Sequence, residues 1–234
     1  MASLEKRVGR LKTLHMLPLL LPSKKNGTLK ILCLGSHSDD IEIGCGGTIL
    51  ELIRTHRKLE FLWVVFSSGA QREREARRSA ALFLKGSAKN NVLVKDFRNG
   101  YFPSVLAEIK DYFEELKQLF SPDVIFTHAR HDLHQDHRVL NQLVWNTWRN
   151  HFVLEYEIPK YDGDLGTPNF FVPLDAKTAA RKVRLLMQCF GTQRDKQWFT
   201  EDTFLGLMRI RGMEACSPGR FAEAFYSRKL VLGD

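Results

Sequence analysis

From residue 29 the chain alternates short apolar runs with stretches of helical period, and this rhythm constrains the fold more than any other feature. "LKILCLG" (29–35) is a continuous apolar run ending in glycine, and "GGTILELIRTHRK" (46–58) follows with an amphipathic helical pattern. Strand-like runs recur at 59–69, 91–97, 122–128 and 152–159, separated by helical patterns at 72–86, 104–120 and 136–150. Such alternation predicts right-handed crossovers and a mostly parallel sheet with helices on both faces, an α/β, doubly wound, Rossmann-like fold. Continuous apolar strands are what a sheet covered on both sides requires. Beyond Pro159 the rhythm breaks. "YDGDLGTPN" (161–169) is turn chemistry, one or two helices follow, and "EAFYSRKLVL" closes the chain. At 234 residues one core is the expectation, with a core portion at 29–160 and a C-terminal portion at 161–234 completing the same domain.

The net charge of +8 is unevenly placed. Residues 1–30 hold seven Lys or Arg against Glu5 alone, so six of the eight net charges lie there and the remaining chain is nearly neutral. A nucleic-acid surface spread over the folded body is therefore not expected. The basicity belongs to an arm, residues 1–28, in which Leu4, Val8, Leu11 and Leu14 recur at roughly helical spacing until Pro18. Two readings of it stay open: a solvated extension, or a helix within residues 1–20 lying on an anionic membrane surface or a partner. No apolar run approaches the roughly 20 residues of a membrane span, and "LPLLLP" (17–22) is too short for a signal-peptide core. The four cysteines form no C-x-x-C pair, which points to a reducing compartment. The expectation is a cytoplasmic protein, at most peripheral to a membrane, with its oligomeric state left open.

Two polar clusters interrupt the apolar pattern. "SHSDD" (36–40) follows the first strand, and "THARHDLHQDHR" (127–138), holding four of the eight histidines, follows the fourth. Ligands of open α/β sheets sit beyond the carboxyl ends of the strands, where strand order reverses. Strands 1 and 4 neighbour each other or flank that point in a common doubly wound order, so both clusters would face one crevice. Two imidazoles and one carboxylate from such turns would suit zinc and leave a coordination position open. A remaining carboxylate then becomes a base. A nucleotide loop fits less well, because "GCGG" lacks G-x-G-x-x-G spacing and the preceding aspartates would repel a pyrophosphate.

At these residues the sequence resembles the PIG-L/LmbE-like zinc-dependent N-deacetylases. The family's His-Pro-Asp-Asp turn reads His37-Ser38-Asp39-Asp40 here, its Gly-x-Gly-Gly helix start reads Gly44-Cys45-Gly46-Gly47, and its later His-x-Asp-His reads His134-Gln135-Asp136-His137. "REREARRSAALFL" and "DFRNGYFP" are similar to the family's Arg-x-x-Glu helix and following loop, and "EYEIPKY" and "AEAF" to members associated with bacterial sugar modification. The resemblance covers residues 29 to about 160. It implies His37, Asp40 and His137 as zinc ligands (the same donors accept ferrous iron), Asp39 as general base, and His134 as the group that stabilises the oxyanion or protonates the leaving amine. Asp136 would orient a ligand imidazole or serve the helix N-terminus. The implied reaction removes an N-acetyl group from an N-acetylhexosamine carried as a free sugar, glycoside, nucleotide sugar or glycolipid. Two departures stand out. Ser38 replaces the proline, so the turn loses a fixed φ, and Asn99 stands where many relatives carry an Asp that contacts the sugar.

Arg72 is read as a substrate contact or a partner of Glu75 on its own helix. His128 and His131 flank the site as candidate substrate contacts, and Lys160, Arg209 and Arg211 as candidates for an anionic substrate. His15, His56 and His151 are read as isolated and solvated, Trp145 and Trp148 as core. Two rival functions are a non-catalytic metal-binding or regulatory module, and a glycosyltransferase with a metal-bound diphosphate on the acidic turn. The first needs neither Asp39 nor His134, and the second leaves the histidines unexplained.

Overall fold

The computed structural model describes residues 16–19, 27–56 and 58–231. Most of the basic arm lies outside them, as does His15. Seven strands form one sheet: β1 (Leu29–Gly35), β2 (Leu59–Val65), β3 (Lys89–Val94), β4 (Val124–His128), β5 (Phe152–Tyr156), β6 (Phe170–Leu174) and β7 (Phe221–Tyr226). Their order is β3-β2-β1-β4-β5-β7-β6. The first five pair in parallel, with Ile31 opposite Val124 and Cys33 opposite Phe126 across β1 and β4. Strand β7 enters antiparallel between β5 and β6.

Six helices connect them: α1 (Asp40–Thr55), α2 (Ala70–Phe83), α3 (Leu106–Leu119), α4 (Gln135–Thr147), α5 (Ala176–Cys189) and α6 (Glu201–Glu214). The period of two along the strands divides the core between the sheet's faces. Ile31, Cys33, Phe61, Trp63 and Phe126 pack with side chains of α1, α2, α5 and α6. Leu32, Leu34, Leu62, Val64 and Ile125 pack with α3, α4 and Trp148. Both faces are covered, which is why β1 and β2 read as unbroken apolar runs. Among the described residues no helix is long and apolar enough to cross a membrane.

The first helix departs most from the pattern reading. It begins at Asp40, not at Gly46, so the glycines lie inside it. They are there for proximity. A Cβ on Gly44 would come within 2.2 Å of the Tyr156 ring, and one on Gly47 within 2.6 Å of Leu174. At the same level the helix is bonded to a buried ion pair. Glu223 accepts the N–H groups of Gly47 (2.7 Å) and Thr48 (2.6 Å), and Lys182 Nζ donates to Ile43 O and to Glu223, each at 2.6 Å. Strand β6 had no counterpart in the pattern reading. Its Pro173 is tolerated because β6 is an edge strand, paired only with β7.

Candidate metal centre

Strand order reverses between β1 and β4, the two central neighbours, so their carboxyl ends open onto one crevice. From β1 the chain turns through Ser36–Asp39 into α1, and the His37 N–H closes the turn on Asp40 Oδ2 at 2.6 Å. From β4 a loop leads to α4, whose N-cap is His134; its Nδ1 accepts the Asp136 N–H at 3.3 Å. That cap places His137 one turn inside the helix, facing back toward the first cluster.

Three donor atoms converge. His37 Nδ1 lies 3.2 Å from His137 Nε2 and 3.3 Å from Asp40 Oδ2, and His137 Nε2 lies 3.5 Å from the same Oδ2. A tetrahedral cation with metal–nitrogen bonds of about 2.0–2.1 Å places its donors about 3.3–3.4 Å apart, so the three atoms fit one face of such a site. The far nitrogen of each imidazole is tethered to a carboxylate: His37 Nε2 to Asp136 Oδ2 at 3.3 Å, and His137 Nδ1 to Asp132 Oδ2 at 2.8 Å. Such tethers fix ring orientation and direct the other nitrogen at a metal. Asp136 is held in turn by the N–H groups of Gly100 (2.6 Å) and Phe102 (3.1 Å), from the loop after β3.

The histidine cluster is deeper than the triad alone. His128 is fully buried, stacks on His137 with ring centroids 3.8 Å apart, and brings Nε2 to 3.2 Å from Asp40 Oδ2 while accepting the Ser36 N–H at 3.0 Å. Two further triads are compact enough to hold an ion: Asp40 with His128 and His137, and His37 with His134 and His137. His134 is only partly buried, stacked on His137 at 4.5 Å and edge-on to His37 at 4.9 Å. Because its Nδ1 accepts, the neutral ring carries its proton on Nε2.

Electrostatics follow from this packing. Burial opposes charge on His37, yet Asp40, the hydrogen-bonded Asp136 and Asp39 push its pKa up to about 10. Burial, reinforced by His128, pushes His137 down to about 3, so that ring is neutral. Burial would raise Asp40, but His137, His128 and His37 hold it well below the ordinary range. Asp39 is raised by burial, against the pull of Arg72. The site attracts a cation, and a proton on His37 partly satisfies it.

Several sequence expectations are placed differently. Arg72 donates from Nη2 to Asp39 Oδ1 at 2.6 Å rather than pairing with Glu75, which accepts from Thr192. His128 belongs to the buried cluster, not to an exposed flank. His131 is exposed and packs edge-on against Tyr226 at 4.5 Å, and Asn99 is exposed one residue before Gly100. Arg211 is buried between Glu157 and Glu214, and Arg209 donates to Arg220 O, so both serve the fold. Lys160 is turned inward onto Asp132. His56 hydrogen-bonds Leu52 O and Thr55, and His151 is partly buried. Trp148 is core, whereas Trp145 is half-buried and donates to Glu155. The sequence reading missed Asp132 altogether. Its five-residue distance from His137 spans a loop and a helix start, which no periodic pattern reveals.

The family of PIG-L, GlcNAc-PI de-N-acetylase, matches residues 32–148, and the chain belongs to it. None of the curated proteins matches the chain. Among solved structures it is similar to the N,N'-diacetylchitobiose deacetylase of Pyrococcus horikoshii (TM-score 0.63, 19% identity, covering 95% of this chain and 92% of that one). It is also similar to GalB, a 4-carboxy-2-hydroxymuconate hydratase from Pseudomonas putida KT2440 (0.66, 15%, 88% and 99%). A third is the zinc-inhibited form of the teicoplanin deacetylase Orf2 (0.63, 13%, 85% and 97%). At these identities the likeness establishes the fold.

Proposed function

We propose that the chain is a metal-dependent N-deacetylase that hydrolyses the acetamide of an N-acetylhexosamine-containing compound, with zinc the cation its donors fit. The observation that carries this reading is the single face of His37, Asp40 and His137, each imidazole tethered behind to its own carboxylate. A dication held there would polarise an amide carbonyl and lower the pKa of water toward ~7. Asp39 follows Ser38 in the same turn, points to Arg72 and ligates nothing else, so its carboxylate is the base that takes the proton of the attacking water. The raised pKa makes Asp39 a stronger base, and Arg72 keeps it oriented. His134 offers Nε2–H on the partly open side, where it donates a hydrogen bond to the carbonyl oxygen as negative charge develops, and the proton that Asp39 took from water passes to the departing amine. Water adds to the carbonyl carbon, the C–N bond breaks, and acetate and the free amino sugar leave. Membership of the family and the two deacetylases among the similar structures support the substrate class.

Asp39→Asn tests the assignment. Zinc should remain stoichiometric by elemental analysis while acetate release from a panel of N-acetyl sugars falls about 10²–10⁴-fold. Loss of metal in that variant would overturn the division of roles. Wild-type protein that adds water to an alkene, with no acetate released, would place the chain with the hydratase instead.

A further inference from the structure

We infer that Lys160 is a positioning residue for the metal centre: through Asp132 it fixes the ligand His137, and it latches the loop after β5 onto the site. The inference rests on the metal reading above. Lys160 Nζ lies 3.1 Å from Asp132 Oδ2, the same oxygen that meets His137 Nδ1 at 2.8 Å. The other oxygen, Oδ1, accepts the His134 N–H at 2.9 Å. One carboxylate thus joins both site histidines of α4, and among the described residues the ammonium is the only full positive charge bonded to it. Lys160 also pairs with Asp164, and Asp164 Oδ2 accepts the Leu133 N–H at 2.7 Å. The side chains of Lys160, Asp132 and Asp164 are 9%, 3% and 7% exposed. Lys160's remaining contact is Ile158 O at 3.5 Å, so its hydrogen bonds are spent inside the protein rather than on a substrate anion.

The physics of the arrangement is specific. Two carboxylates this close to one another in a poorly solvated place repel strongly, and the shared ammonium is what holds them together. Without it, Asp164 would turn outward, releasing the Leu133 N–H and the segment that carries Asp132. A carboxylate behind a ligand imidazole typically contributes 10–100-fold in metal affinity, and Lys160 controls whether that carboxylate stays in place.

The experiment titrates the metal-free full-length protein with zinc against a chromophoric chelator, and in parallel follows thermal unfolding of the metal-free protein. Lys160→Met keeps the aliphatic stem and removes the charge. It should weaken zinc roughly 10–100-fold and also lower the unfolding midpoint, because two buried carboxylates lose their shared counter-charge, and Lys160→Arg should restore most of the affinity. In an Asp132→Asn background Lys160→Met should add less than about twofold, because the lysine acts through that carboxylate. Zinc affinity in Lys160→Met equal to wild type, or a full additional loss in the Asp132→Asn background, overturns the inference. If Lys160→Met does not fold, Lys160→Gln against Lys160→Arg makes the same comparison. Wild-type protein that binds zinc yet releases no acetate sinks the deacetylase reading and leaves this inference standing. Wild-type protein that binds no zinc sinks both.

Discussion

The molecule buries charge on two sides of α1, and it does so by opposite rules. Behind the helix, Lys182 faces Glu223 and Arg211 faces Glu157, all four at least 93% buried, so positive and negative groups balance. In front of it, Asp39, Asp40, Asp132 and Asp136 are at least 95% buried, while the full positive charges bonded to them are Arg72 and Lys160. With His37 protonated the front is short by one positive charge, and by two once Asp164, which shares Lys160, is counted. A fold that matches charges behind the helix has no general difficulty in doing so, and the deficit in front therefore marks a place built for something the chain itself does not supply.

The comparison can be broken in several ways. The largest expected effect is in front. His137→Ala leaves two donors on the face, so zinc should no longer co-purify stoichiometrically, and turnover should fall at least as far as in Asp39→Asn, about 10²–10⁴-fold. Metal analysis and acetate release measure both.

Behind the helix the effect should fall on stability. Lys182→Met strands Glu223 as an unpaired buried charge and should cost about 3–5 kcal/mol in denaturant unfolding. Adding Glu223→Gln removes that charge while keeping an acceptor for Gly47, and should recover part of the loss. A double variant no more stable than the single one would show that the pair is not balanced in the sense described.

Zinc and pH sharpen the contrast further. At a free concentration a hundredfold above Kd, zinc should add about 2.7 kcal/mol of stability. The His37 pKa is about 10 in the metal-free fold and near 6.5 unfolded, so the folded state binds the proton more tightly. That contribution is complete below pH 6.5 and is lost as pH rises through 10. Metal-free protein should thus weaken from pH 7 to 10, and the zinc-induced rise in melting temperature should grow over the same interval. A zinc shift independent of pH would contradict it.

The smallest effect is expected at Glu42, a fully buried carboxyl in α1 beside Ser79. Burial pushes its pKa well above the ordinary value, toward the neutral form. Below pH 4.5, where the carboxyl is neutral folded and unfolded alike, Glu42→Gln should therefore change stability by about 1 kcal/mol or less. The variant should gain relative to wild type as pH rises above 4.5, since the unfolded wild-type carboxyl ionises there while the buried one keeps its proton.

How much of this was legible in the sequence follows from range. Strands β1, β2 and β4 could be read because burial on both faces leaves an apolar run, and the two polar clusters stood out against it. That His37 and His137 meet follows from β1 and β4 being neighbours, which the alternation implies. The start of α1 was misplaced because Gly44–Gly47 look like a turn until Tyr156 and Leu174, far along the chain, are seen pressing on them. Arg72's partner and Lys160's inward turn depend on contacts between separate loops, and no spacing rule encodes those. Strand β6 was hidden by Pro173 and by pairing with a strand some fifty residues later.

The link from Glu223 to the backbone of Gly47 and Thr48 has a consequence for how the molecule comes into being. The two groups are 176 and 175 residues apart, so during synthesis the first helix emerges long before the strand that secures its middle. A nascent chain ending at residue 160 already contains every histidine and aspartate of the candidate metal face, yet the helix that presents Asp40 still lacks its anchor. Any capture of a metal should accordingly be a late event of maturation, waiting for β7 to emerge from the ribosome.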